Sequence, residues 1–145
     1  MLDQPGVRSV IIQGGLNDLG HPLWDNECSR PNPVVTAAEL IKGLRNMIEA
    51  AHQRGIKAIG ATITPIHGTY FYSPHGESVR EEVNTWIRSS GAFDAVAGFD
   101  RALVDPHPAD PQRPGPNPAL TSEDGVHPND AGYQAMADAI DLAAL

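Results

Sequence analysis

Cysteine is nearly missing from this chain. Cys28 stands alone among 145 residues, which excludes an internal disulfide and a multi-cysteine zinc site. Long apolar runs are missing too, so no segment is suited to crossing a membrane. Basic residues are outnumbered, 10 Lys and Arg against 18 Asp and Glu. The resulting net charge of −8 disfavours nucleic acid and anionic membranes as partners. His21, His52, His67, His75 and His107 are scattered without metal-ligand spacing, and no metal or cofactor is expected. The opening Met1-Leu2-Asp3-Gln4-Pro5-Gly6 has neither the basic start nor the apolar core of a signal peptide. What remains is the composition of a globular protein, 41% apolar and 19% charged, at a length that suits one domain.

The order of elements follows from local chemistry. Val7-Arg8-Ser9-Val10-Ile11-Ile12 is a β-branched run closed by Gly14-Gly15 and reads as a buried strand entering a tight turn. Residues 18–35, with Pro22, Pro31 and Pro33, read as a loop. Thr36 and Glu39 fit a capping box ahead of Leu40, Leu44, Met47, Ile48 and Ala51 at helical spacing, with Gly55 beyond the helix end. His52, near that end, has a charge that suits the helix dipole. Ile56 to Ala61 predicts a second strand stopped by Thr64-Pro65. Ser73-Pro74 caps and opens a helix whose Val79, Val83, Trp86 and Ile87 share a face, and Gly91 ends it. Ala95 to Phe99 predicts a weaker third strand. A loop with six prolines between Pro106 and Pro118 follows. Asn129 or Asp130 then caps a last helix carrying Tyr133, Met136, Ala137 and Ile140 on one face. This alternation implies a parallel sheet with helices on its faces.

Two segments can carry chemistry. Gly14-Gly15-Leu16-Asn17-Asp18 lies at the carboxyl end of the first strand, where ligands bind in open α/β sheets. Asn17 offers an amide donor for a developing oxyanion, although an asparagine in a turn commonly bonds its own backbone. Asp124-Gly125-Val126-His127-Pro128 precedes the last helix. Histidine suits general acid–base work, and an aspartate three residues earlier can reach its Nδ1–H and fix the tautomer. The plainer alternative is a solvated helix-entry loop.

The ordered pair, G-x-N-D at Gly15 to Asp18 and D-x-x-H-P at Asp124 to Pro128, resembles blocks III and V of the SGNH/GDSL hydrolases. The flanks V-R-S-V-I-I-Q-G-G-L-N-D-L-G and H-P-N-D-A-G-Y-Q-A-M-A-D-A-I are similar to bacterial members grouped with carbohydrate esterases. The resemblance implies a three-layer α/β/α, flavodoxin-like fold, reduced here to about three parallel strands, as for the C-terminal portion of the family domain. It implies that Asn17 and the Gly15 N–H belong to an oxyanion hole, with His127 as general base and Asp124 as its orienting acid. The substrates it implies are short acyl or acetylated carbohydrate esters, cleaved without metal or cofactor.

The family's nucleophilic G-D-S serine has no counterpart in this sequence. Ser29, Cys28 and Ser122 are the substitute candidates, although loop serines are mostly solvated and a lone cysteine is usually inert. A water activated by His127 is a second route. Val7 to Gln13 should form an exposed sheet edge, which invites a homo-oligomer through strand pairing. A noncatalytic binding or assembly module, and one half of a split hydrolase, are the alternatives to an esterase.

Overall fold

The computed structural model describes residues 2–24, 27 and 30–145. Among these residues three strands, β1 (Ser9–Ile12), β2 (Lys57–Ala61) and β3 (Ala95–Ala97), form a parallel sheet in the order β1-β2-β3. Val10 lies opposite Ala58 and Ile12 opposite Gly60, while Ile59 lies opposite Ala95. Among the described residues five α-helices accompany the strands: α1 (Leu16–Gly20), α2 (Ala37–His52), α3 (Pro74–Ser89), α4 (Phe99–Leu103) and α5 (Asp130–Asp138).

Strand alternation divides the core into an upper part on the α2/α3 face and a smaller lower part on the α4/α5 face. Val10, Ile12 and Ala58 face one way and pack with Leu44, Ile48 and Ala51 of α2 and Val79, Val83 and Ile87 of α3. Ile59, Ala61 and Ala97 face the other way, onto Phe99 and Leu103 of α4 and Met136 of α5. The result is three layers, α/β/α, around a parallel sheet. Helix ends obey local rules. The Thr36 side chain accepts from the Glu39 N–H while the Glu39 carboxylate accepts from Thr36, and the hydroxyls of Ser73 and the amide of Asn129 cap α3 and α5. Among the described residues, no helix is long and apolar enough to cross a membrane.

Several expectations are corrected. The third strand stops at Ala97 rather than running to Phe99. Gly98 turns the chain (φ −85°, ψ 62°), Phe99 enters the lower core, and Asp100 is drawn to Thr62 of the neighbouring strand end. The segment 18–35 is not all loop, because α1 continues through Gly20 and a 3-10 turn covers His21–Leu23. Leu19 is buried there, and α1 packs on α3, a tertiary gain that no local signal announces. The last helix ends at Asp138, and Ile140 packs on the lower core from beyond it. His52 does more than face a helix dipole: its Nε2 lies 2.8 Å from Asp94 Oδ2, and the same carboxylate oxygen accepts from the Ala58 N–H at 2.7 Å.

β1 pairs with β2 alone among the described strands, so its other edge is open. On the α4/α5 face of that edge Ile11 remains 38% exposed, since the lower helices cover only β2 and β3.

Candidate active site

The turn that carries His127 is closed by its own hydrogen bonds. Asp124 Oδ1 accepts from the backbone N–H groups of Val126 and His127, both at 2.9 Å, and Ser122 N–H donates to the His127 carbonyl at 2.8 Å. A bridge between Thr121 and Pro128 seals the base of the loop. Val126 is buried in the upper core, so the backbone is anchored while the neighbouring imidazole stays out, 61% exposed. The other carboxylate oxygen, Asp124 Oδ2, meets His127 Nδ1 at 2.5 Å. With Nδ1 donating, Nε2 is left as the basic nitrogen. The ring bond to His127, reinforced by the two backbone N–H groups, holds the Asp124 carboxyl well below the usual carboxylate range. The acid of the pair therefore stays ionised throughout neutral and mildly acidic conditions.

The facing wall is the end of β1. Gly15 sits at φ +105°, a conformation that disfavours a side chain, and a Cβ there would stand 2.8 Å from Ile63 Cδ1. This close approach starts α1 immediately and sets Asn17 on its exposed first turn. The Asn17 amide and the Gly15 N–H have no protein partner among the described residues. Gly15, Asn17 and His127 line one cleft of about 360 Å³, together with Gln13, Asp18, Ile63, Thr64 and Tyr133. It opens at the carboxyl end of the sheet, as ligand sites in open α/β folds do.

Asp124 stands behind His127 and does not line the cleft itself. Ser122 is not brought to the imidazole Nε2. Its hydroxyl lies 3.0 Å from Asp124 Oδ1 and 2.8 Å from the His127 carbonyl oxygen, so its one proton is committed within the turn. That makes it a brace of the loop rather than a nucleophile. Cys28 and Ser29 lie outside the described residues. Among the described residues, Thr64 and Tyr133 are the hydroxyl-bearing side chains that line the cleft, and sequence reasoning missed them in that role. Thr64 read only as a strand stop and Tyr133 only as one of four residues sharing a helix face, and Tyr133 is 56% exposed. The position of Thr64 just beyond β2, at the same sheet end as Asn17, was the available signal.

A buried polar cluster holds the cleft floor. Asn84, only 2% exposed, accepts the Ile63 N–H at 2.7 Å and donates to the Ile63 carbonyl at 2.8 Å. It takes over as a strand-like partner just after the Thr62 N–H makes the last ladder bond to Ala97. Asp100 accepts from the Thr62 hydroxyl at 2.9 Å and pairs with Arg88.

Fold and cleft together define an α/β protein of the flavodoxin-like kind, with an aspartate–histidine pair facing free amide donors across the sheet's carboxyl rim. The model of the GDSL-like lipase/acylhydrolase family matches residues 2–135, and the chain belongs to that family. It is 28% identical over 137 residues to a GDSL lipase of Mycobacterium tuberculosis, a match covering 94% of this chain and 50% of that protein. A crystal structure from Bacteroides fragilis, assigned as an acylhydrolase, superposes with a TM-score of 0.68 at 20% identity, covering 94% of this chain and 60% of that one. The chain thus spans one half to three fifths of the length of these relatives.

Proposed function

We propose that this chain supplies the general base, its orienting acid and the oxyanion donors of a carboxylic ester hydrolase, acting on short acyl or acetylated carbohydrate esters. The supporting observation is the shared cleft, with His127 braced by Asp124 on one wall and the unpartnered Asn17 amide and Gly15 N–H on the other. In this reading His127 Nε2 takes a proton from a water as its oxygen attacks the acyl carbonyl. The carbonyl electrons move to oxygen, where Asn17 and Gly15 donate hydrogen bonds to the anion. Collapse breaks the ester C–O bond, and the imidazolium returns its proton to the departing alkoxide. The products are a carboxylic acid and an alcohol. Asp124 stabilises the imidazolium throughout and remains a carboxylate. Hydrolases stripped of their catalytic triad still retain roughly 10³–10⁴-fold catalysis over water, so slow turnover without a serine is physically reasonable.

Hydrolysis of p-nitrophenyl acetate by the purified chain, beside His127→Ala and Asn17→Ala, tests this. Loss in both variants supports the site. Activity unchanged in both, or absent throughout, sinks it. Thr64→Val and Tyr133→Phe then separate a cleft hydroxyl from water as the attacking group.

A second reading is favoured by the open edge of β1, which leads directly into Gly14–Asn17, and by the absence of any described hydroxyl bonded to His127 Nε2. Here the chain is one half of a split hydrolase, with the nucleophile arriving on a separate polypeptide. It predicts turnover only on mixing with a segment bearing a strand and Gly-Asp-Ser. A purely binding or assembly role predicts no turnover with any partner, and a defined oligomer.

A further inference from the structure

A second cleft, of about 490 Å³, lies between the first turns of α3 and the proline-rich loop. Its floor is the His67 and Tyr72 ring pair, packed edge to face at 4.8 Å. One wall is α3, where Arg80 is held by Glu77 (Nε–Oε2 3.0 Å, Nη2–Oε1 2.5 Å) and also reaches the Ile63 carbonyl at 3.4 Å. Ile63 lines the candidate active cleft and Arg80 lines this one, so that hydrogen bond joins a residue of each. The opposite wall is Gln112 and Arg113.

That loop is fastened rather than draped. Gly115 passes so close to His67 that a Cβ would stand 2.4 Å from the His67 carbonyl oxygen, a contact only glycine permits. The Gly115 carbonyl accepts from Asp105, and Val104 bridges to Pro116. The cleft is therefore a formed feature of the sheet's carboxyl rim.

Its chemistry is selective. Glu77 and Arg80 neutralise each other, which leaves Arg113 and Glu81, one charge of each sign, with side chains unpartnered among the described residues. The balance offers no net attraction to a simple anion or cation. Gln112 adds a planar amide that both donates and accepts, and the Tyr72 hydroxyl does the same. A ligand that fits presents alternating donors and acceptors around its rim and a C–H face for an aromatic ring. That is the description of a pyranose. We propose that this second cleft is a carbohydrate subsite, with His67 and Tyr72 as the aromatic platform and Glu81, Gln112 and Arg113 as the hydroxyl-reading groups. The proposal rests on the esterase reading only in taking the sugar as the alcohol part of the ester. Binding itself needs no turnover.

The test is a ¹⁵N–¹H NMR titration of the whole chain with methyl glycosides of glucose, galactose, mannose, xylose and N-acetylglucosamine, with glycerol as the control polyol. The expected result is saturable shifts at the amides of His67, Tyr72, Gln112 and Arg113 for at least one glycoside and none for glycerol. Arg113→Ala and Gln112→Ala, both on an exposed loop, should each weaken that glycoside about tenfold. No saturable shift with any glycoside, shifts mapping elsewhere, or affinity unchanged in both variants overturns it. Sugar binding without ester hydrolysis would leave the subsite standing and remove the esterase reading. His127-dependent hydrolysis without sugar binding would do the reverse.

Discussion

Removing the Asn84 clamp should cost this protein more than most single substitutions. In Asn84→Ala the Ile63 N–H, at a residue 1% exposed, loses its acceptor, while the Ile63 carbonyl keeps only the long 3.4 Å contact to Arg80. One unsatisfied buried amide costs about 1–3 kcal/mol, and the void left by the side chain adds about 1 kcal/mol more. The expected loss is about 3 kcal/mol, or a fall in Tm of roughly 6–12 °C at this chain length. Urea unfolding followed by circular dichroism reads it directly, as a lower midpoint with an unchanged slope. Asn84→Asp sharpens the test. The variant keeps an acceptor for Ile63 N–H but aims carboxylate oxygen at the Ile63 carbonyl, beside the Asp100 carboxylate that the native amide meets at 3.5 Å. Burial and like charge should raise the pKa of the introduced carboxyl above its unfolded value. The deficit should therefore be full at neutral pH and shrink as pH falls and the protonated carboxyl donates again. A loss under about 1 kcal/mol in Asn84→Ala, or a pH-independent deficit in Asn84→Asp, would refute the reasoning.

Gly15→Ala places a Cβ at φ +105° and 2.8 Å from Ile63 Cδ1, so it should destabilise by about 1–3 kcal/mol. Thermal melts beside p-nitrophenyl acetate rates should show any hydrolysis falling further than stability. Asp94 has its pKa lowered, chiefly by the Ala58 N–H and then by His52. Its folded value lies below its unfolded one, so its stabilisation is present above the ordinary aspartate range near 3.8 and lost as pH falls through the depressed value. The stability gap between wild type and Asp94→Ala should accordingly narrow as pH falls below about 4. The open edge of β1 should pair with another copy. Light scattering at micromolar concentration is expected to find a dimer or larger species that Ile11→Lys converts to monomer, and a monomeric wild type counts against it.

What the sequence made legible was local. The Thr36–Glu39 capping box and the Ser73 and Asn129 caps act over three or four residues and appear as read, while the β-branched run into Gly14-Gly15 pairs only from Ser9 and leaves Ile11 exposed. The elements that escaped depend on distant partners. Helix α1 has no side-chain cap and exists because Leu19 is buried. Phe99 leaves the strand for the lower core while Asp100 is held by Thr62 and Arg88. The site divides the same way. The Asp124–His127 bond spans three residues and is anticipated by its spacing, whereas Thr64 and Tyr133 reach the cleft only through the packing of β2 and α5. Ser122 misled because nearness in sequence to Asp124 says nothing of which acceptor takes its proton.

The two walls of the cleft are also stability reporters of different kinds. Asn17 follows a strand that is paired to β2 and buried against α2 and α3, so it is released only when the sheet itself opens. His127 leads into α5, a short helix held by the smaller lower core through Met136. Detachment of α5 should be a cheaper, partial opening that takes Tyr133 and Met136 out of the cleft while the sheet and the turn anchored by Val126 survive. Heat or mild denaturant would then strip one wall from the cleft before the chain unfolds, and the protein would pass through a folded state with the cleft laid open on its α5 side.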